Sequence, residues 1–191
     1  MRPPSFQQLW SLAEELAPST EVGRRHGPAS TFDCSSVGLI LRSMEDRYGY
    51  DSTPLNADTF AGTGGDGVHF SFLRLPEPHH NDLPIVMTVP MATNCNFIVG
   101  TDLVDFLSLG CTFGYFALEQ LAYKYDQTID RIERGSHADR TSDLDDSLLR
   151  TMRVRFGLRP WVDVRSRLTR LHERFHRFIR LPEDFAGATP A

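Results

Sequence analysis

Apolar positions near the start of the chain recur at helical spacing. Phe6, Leu9, Trp10, Ala13, Leu16 and Ala17 follow one another at i, i+3, i+4 and i+7. Ser5-Phe6-Gln7-Gln8 reads as a capping box in front of that stripe, and Pro18 closes it. After a loop with Gly23, Gly27 and Pro28, the positions Val37, Ile40, Leu41, Met44 and Tyr48 predict a second helix over 36–48. The period then shortens to two. Beyond Phe60-Ala61 and the turn residues Thr63-Gly64-Gly65-Asp66-Gly67, the apolar Val68, Phe70 and Phe72 alternate with His69 and Ser71, the pattern of a hairpin. Residues 84–91 (PIVMTVPM) and 96–99 (NFIV) are two further strands, with Pro84 and Pro90 at strand ends, where a missing N–H does least harm.

From Gly100 onward the pattern is helical. Thr101 or Asp102 caps a short helix through Leu109, and Leu118, Leu121, Ala122, Tyr125 and Ile129 predict one continuous helix over 113–132. The polar stretch 133–141 (ERGSHADRT) is a connector. Ser142-Asp143-Leu144-Asp145 opens a helix that runs to about Phe156, and Pro160 suits the first turn of the last helix. That helix carries a seam at Trp161, Val164, Leu168, Leu171, Phe175 and Phe178, spaced 3-4-3-4-3. Strands grouped in the middle, with helices before and after, predict an α+β fold over a doubly wound one. The expected architecture is a central antiparallel or mixed sheet of about four strands flanked by helices, with an all-helical C-terminal third. Residues 1–132 form the core domain, 142–180 a helical pair packed on that core or on a partner chain, and 181–191 a flexible tail.

The composition is that of a globular protein: 191 residues, 40% hydrophobic, 24% charged, formal net charge −5. No apolar run approaches the ~20 residues of a membrane span, and Met1 to Trp10 lacks the apolar core of a signal peptide. The three cysteines, Cys34, Cys95 and Cys111, form no C-x-x-C pair, which argues against a disulfide framework. A cytoplasmic protein is expected. Charge is unevenly spread, with 7 Lys+Arg against 16 Asp+Glu in residues 1–130 and 13 against 9 in residues 131–191. The acidic front would repel nucleic acid, and the basic end lacks aromatic residues interleaved for base stacking, so nucleic acid is not an expected partner.

His172-Glu173-Arg174-Phe175-His176 matches H-E-x-x-H, which sets two histidine ligands one helical turn apart beside a general base. A metal-dependent hydrolase using His172, Glu173 and His176 is therefore the alternative reading. Against it, no histidine follows His176 as a third ligand, and Arg165, Arg170, Arg174, Arg177 and Arg180 would repel a dication. Gly64-Gly65-Asp66-Gly67 resembles the glycine-rich loop of NAD and diacylglycerol kinases. Those loops lead into a helix, whereas here a strand pattern follows and Val68 replaces the usual Thr. A tight turn accounts for the glycines more simply. Thr63, Asp66 and His69 are candidate binding residues on that hairpin. His79-His80 read as a solvated loop, and neither Ser108 nor Cys111 has the frame of a catalytic nucleophile. No catalytic residue and no cofactor is expected.

Residues 60–73, FAGTGGDGVHFSFL, resemble the F-A-x-T-G-x-D-G-x-H-F segment of proteins related to the SMI1/KNR4 group, the SUKH superfamily. The stretches PIVMTVPM and DFLSLGC fit the same family's strands followed by a short helix, so the resemblance spans about residues 35–125. It implies a non-enzymatic α+β module that binds protein partners, often as an immunity protein against bacterial toxin domains. The acidic front suits a basic toxin domain such as a nuclease. A homodimer through the seam of the last helix is the third reading.

Overall fold

The computed structural model describes residues 3–16, 34, 36–42, 49–76, 83–134 and 143–183. Its centre is one antiparallel sheet in which strand order follows the chain: β1 (Ile40–Leu41), β2 (Ala57–Gly62), β3 (His69–Leu73), β4 (Ile85–Thr88) and β5 (Asn96–Gly100). Around it lie α1 (Pro4–Leu16), α2 (Leu103–Gly110), a 3-10 helix at Phe116–Ala122, α3 (Tyr125–Arg134), α4 (Asp143–Phe156) and α5 (Val164–Phe175). The fold is α+β, with five strands, of which β1 is a two-residue edge. No helix among the described residues is long and apolar enough to cross a membrane.

Every residue of β3 and β4 is buried, which requires cover on both faces of the sheet. One face is aromatic. Phe60, Phe70 and Phe72 meet Phe6 of α1 and Phe106 of α2, with ring centroids 4.6–6.0 Å apart, and Tyr115 closes on Phe106 at 5.1 Å. A bulge between Thr59 and Ala61 shifts the register so that Ala61 and Gly62 lie opposite Phe70 and His69. The other face is unusual in being polar yet buried: Thr59, His69, Ser71, Thr88 and Asn96 are at most 3% exposed. The α5 seam is buried within this single chain, from Val164 (0% exposed) through Leu168 and Leu171 to Phe175 (6%). Helix α5 lies against β5, and the chain beyond it reaches Asn56 at the start of β2, so this segment spans the sheet opposite α1 and α2.

Charge pairing holds the C-terminal helices to the rest. Arg155 of α4 pairs with Glu15 of α1, Arg165 with Asp126 at 2.6 Å, and Arg167 with the buried Asp105. Glu133 accepts from the backbone N–H of Val164 at 2.8 Å, and the Trp161 indole N–H donates to the Asp105 carbonyl at 2.9 Å. The acidic front and the basic end of the sequence thus partly neutralise each other inside the molecule. One apolar cluster runs from Phe6 through the sheet to Leu149, Met152 and Phe175, so the helical pair packs on the core. The seam that suggested a dimer is already filled from within the chain.

Several expected elements are corrected. Residues 36–42 are a turn followed by β1 rather than a helix: Gly38 takes φ +83°, and Ile40 and Leu41 pair with Gly62 and Ala61. The remainder of the helix expected over 36–48 lies outside the described residues. The helix expected over 113–132 is broken into the 3-10 helix and α3, with Gly114 at φ +84° preceding the first and Lys124 between them. Helix α1 begins at Pro4, and the Pro3 carbonyl accepts from Phe6 and Gln7 N–H, so Ser5 sits inside the first turn. Pro160 precedes α5 by several residues, and Asp163, in the left-handed region at φ 54°, is the residue that leads into it. The tail expected over 181–191 falls mostly outside the described residues.

Candidate functional site

The hairpin between β2 and β3 turns within five residues. Gly64, Asp66 and Gly67 have φ of +89°, +48° and +71°. Glycine tolerates the left-handed region freely, and aspartate does so better than most residues. That accounts for Gly64, Asp66 and Gly67 without a phosphate. Gly67 has a second reason to lack a side chain, since a Cβ there would lie 2.4 Å from the Tyr50 hydroxyl oxygen. Tyr50 therefore rests directly on the turn.

His69 locks the two segments together from below. The Gly67 carbonyl lies 2.7 Å from Nδ1 and can only accept, so Nδ1 carries the proton. Nε2 is then left to accept from the Thr53 hydroxyl at 3.1 Å. The Tyr50 and His69 rings stack at 17°, centroids 6.1 Å apart. Burial pulls the imidazole down to about 4, against the opposing effect of its bond to Gly67, and the nearby Arg42 charge lowers it further. The ring is neutral at physiological pH. Asn96 is a second fastener: its amide N–H donates to the Ser52 carbonyl at 3.0 Å, and its Oδ1 accepts from Thr88 at 2.8 Å. Thr63 is buried, and its hydroxyl stays within the turn, near both the N–H and the carbonyl of Gly65.

Of the three binding candidates, only Asp66 is exposed; Thr63 and His69 hold the turn from inside. What reaches solvent is Asp66 with Gly64 and Gly65, and beside them Tyr50, 43% exposed, with Asp51. Asp51 and Asp66 have no ion pair among the described residues, in contrast to Glu15, Asp58, Asp105 and Asp126. The result is a rigid acidic and aromatic face at one end of the sheet. Sequence reasoning found the turn but missed Tyr50, Thr53 and Asn96. A polar residue placed on the buried face of a strand was the available signal for Asn96, and no local pattern marked Tyr50.

His172 and His176 do come together, with rings stacked 4.2 Å apart on the exposed side of α5. Partial burial and, after it, the His172 charge lower the His176 imidazole below its ordinary value. Glu173 is exposed, and among the described residues no group of three or more His, Cys, Asp or Glu is placed to hold a metal ion. The three cysteines are buried, and burial raises the Cys111 thiol to about 11, so it is protonated at neutral pH. Ser108 spends its hydroxyl on the Val104 carbonyl one turn back. His79 and His80 lie outside the described residues. No protein-family model and no curated protein matches the chain.

Proposed function

We propose that the chain is an SMI1/KNR4-like binding module of the bacterial cytoplasm that docks a basic protein partner, such as a toxin nuclease domain, through the face formed by Tyr50, Asp51 and Asp66. The observation that carries this reading is the pairing of exposure with rigidity. An aromatic ring and two carboxylates, the carboxylates without ion pairs among the described residues, stand on two adjoining segments fastened by His69 and Asn96. Rigid tyrosines supply binding energy at low entropic cost, because few rotamers are lost when they dock. Carboxylates beside them steer a cationic partner and set the orientation of docking. Glu15, Asp58, Asp105 and Asp126, by contrast, are each paired with an arginine. The resemblance of residues 60–73 to SMI1/KNR4-like proteins supports the same reading.

The test is affinity capture with two baits, the wild-type chain and an Asp51→Lys/Asp66→Lys double variant. The reading expects a basic protein retained by the wild type at low salt and lost from the variant. Equal recovery with both baits, or recovery of a partner with no basic surface, would overturn it.

A further inference from the structure

A second surface feature lies away from the hairpin face, where the start of β2, the end of β3 and the segment following α5 converge. Asn56 organises it. Its side-chain N–H groups donate to the Arg74 carbonyl at 2.8 Å and to the Phe178 carbonyl at 2.9 Å. Its Oδ1 accepts from the Arg180 backbone N–H at 3.0 Å. The backbone adds two more ties, Leu55 N–H to Arg180 O at 2.7 Å and Arg74 N–H to Asn56 O at 2.8 Å. One amide side chain therefore fixes the relative positions of three chain segments.

Those segments carry Arg74, Arg177 and Arg180 into the lining of one open cleft of about 540 Å³. Its other walls are largely apolar, including Leu55, Leu75 and Phe178. Arg74 is committed to Asp58 and to the Leu55 carbonyl. Arg177 lies over the Phe178 ring, 4.8 Å from its centroid. Among the described residues, Arg177 and Arg180 have no ion pair and no carboxylate lines the cleft. Two guanidinium groups that line one cleft without ion pairs of their own favour an oxyanion that can accept paired N–H bonds. The apolar walls favour a ligand whose charged head is joined to a hydrophobic body.

We propose that this cleft binds a small phosphate monoester with an apolar body, its phosphate on Arg177 and Arg180 and its body against Leu55, Leu75 and Phe178. The site is separate from the protein-docking face and does not depend on it. The Arg180 contacts to Asn56 and Leu55 are made by its backbone, so replacing its side chain leaves the scaffold in place.

The experiment is an NMR titration of the full chain with phenyl phosphate and, separately, inorganic phosphate. Saturable shifts are expected at the Leu55, Asn56 and Arg180 amides, with phenyl phosphate binding about tenfold or more tightly than inorganic phosphate because of the apolar area it covers. Arg177→Gln and Arg180→Gln should each weaken phenyl phosphate about tenfold, the scale of losing one charge-assisted contact. Arg159→Gln, at an exposed arginine outside the cleft, should leave it unchanged. Thermal denaturation of each variant checks that the fold is retained. Shifts scattered over arginines outside the cleft, equal affinity for the two phosphates, or unchanged affinity in the Arg177 and Arg180 variants would overturn the proposal.

Discussion

Replacing His69 by alanine removes a fully buried ring that ties Gly67 to Thr53 beneath Tyr50. At neutral pH the Gly67 carbonyl and the Thr53 hydroxyl both lose that partner, and a cavity opens under the stacked tyrosine. Together these should cost about 3 kcal/mol, combining an unsatisfied buried polar group with lost packing. The pH dependence is the sharper test. In the folded chain the ring holds its proton only below about 4, against 6.5 for an unperturbed histidine. As pH falls, the unfolded chain therefore takes up a proton before the folded one does. The stability tied to the neutral ring is complete above 6.5 and drains away as pH drops towards 4. Between pH 7 and pH 4.5 this linkage amounts to roughly 2 kcal/mol. The alanine variant lacks it, so the stability gap between wild type and variant should narrow by that amount. Effects of other titrating groups, His176 included, are common to both chains and cancel. Urea denaturation followed by tryptophan fluorescence at both pH values reads the gap directly. A gap of constant size, or an NMR titration in which His69 protonates near 6.5, would refute the reasoning.

Further consequences can be checked in the same way. Asn56→Ala removes three side-chain hydrogen bonds that join β2, β3 and the segment after α5, and should destabilise the chain by about 2–3 kcal/mol in chemical denaturation. Asp105→Ala leaves Arg167 without its carboxylate and the Thr101 N–H without its acceptor; a loss of about 2 kcal/mol is expected, less than for a fully buried pair because Arg167 is 38% exposed. Gly38→Ala meets both a left-handed φ and the Phe116 backbone nitrogen 2.6 Å from the added Cβ. It should melt well below Gly157→Ala, where the added methyl meets open space and only the ~1 kcal/mol conformational cost remains. Zinc content of purified protein should be far below one per chain. Stoichiometric zinc lost in His172→Ala would reinstate the hydrolase reading.

The parts of the fold that were legible in the sequence are those where a long pattern and its local punctuation agree. The glycine turn between two β-prone runs gave the β2–β3 hairpin, and the 3-4-3-4-3 seam gave the buried face of α5. The errors came where a short apolar run had to be assigned by period alone. Val37, Ile40 and Leu41 fit helical spacing, but the Val37 carbonyl accepts from the Tyr115 N–H at 2.7 Å, and Ile40–Leu41 pair at the sheet edge. The continuous helix over 113–132 failed because backbone capping at Gln120 and Lys124 divides it into two segments. The candidate site was half legible. Its turn residues are adjacent in the chain, whereas Tyr50, Thr53 and Asn96 reach it only through tertiary contacts, and no periodicity encodes those. Charge asymmetry was visible from the start, but it partly serves to seat α4 and α5 through Arg155, Arg165 and Arg167.

Tyr50, Asp51 and Asp66 are the proposed docking face. The most direct measurement is photo-crosslinking from a reactive phenylalanine analogue placed at Tyr50, compared with the same analogue at Val154, a still more exposed position on α4. In cells of the source organism, position 50 is expected to crosslink to one basic protein. Position 154 should give no such product, and Asp66→Lys should abolish the product from position 50. The same product from both positions, or a product from position 50 that survives Asp66→Lys undiminished, would contradict it.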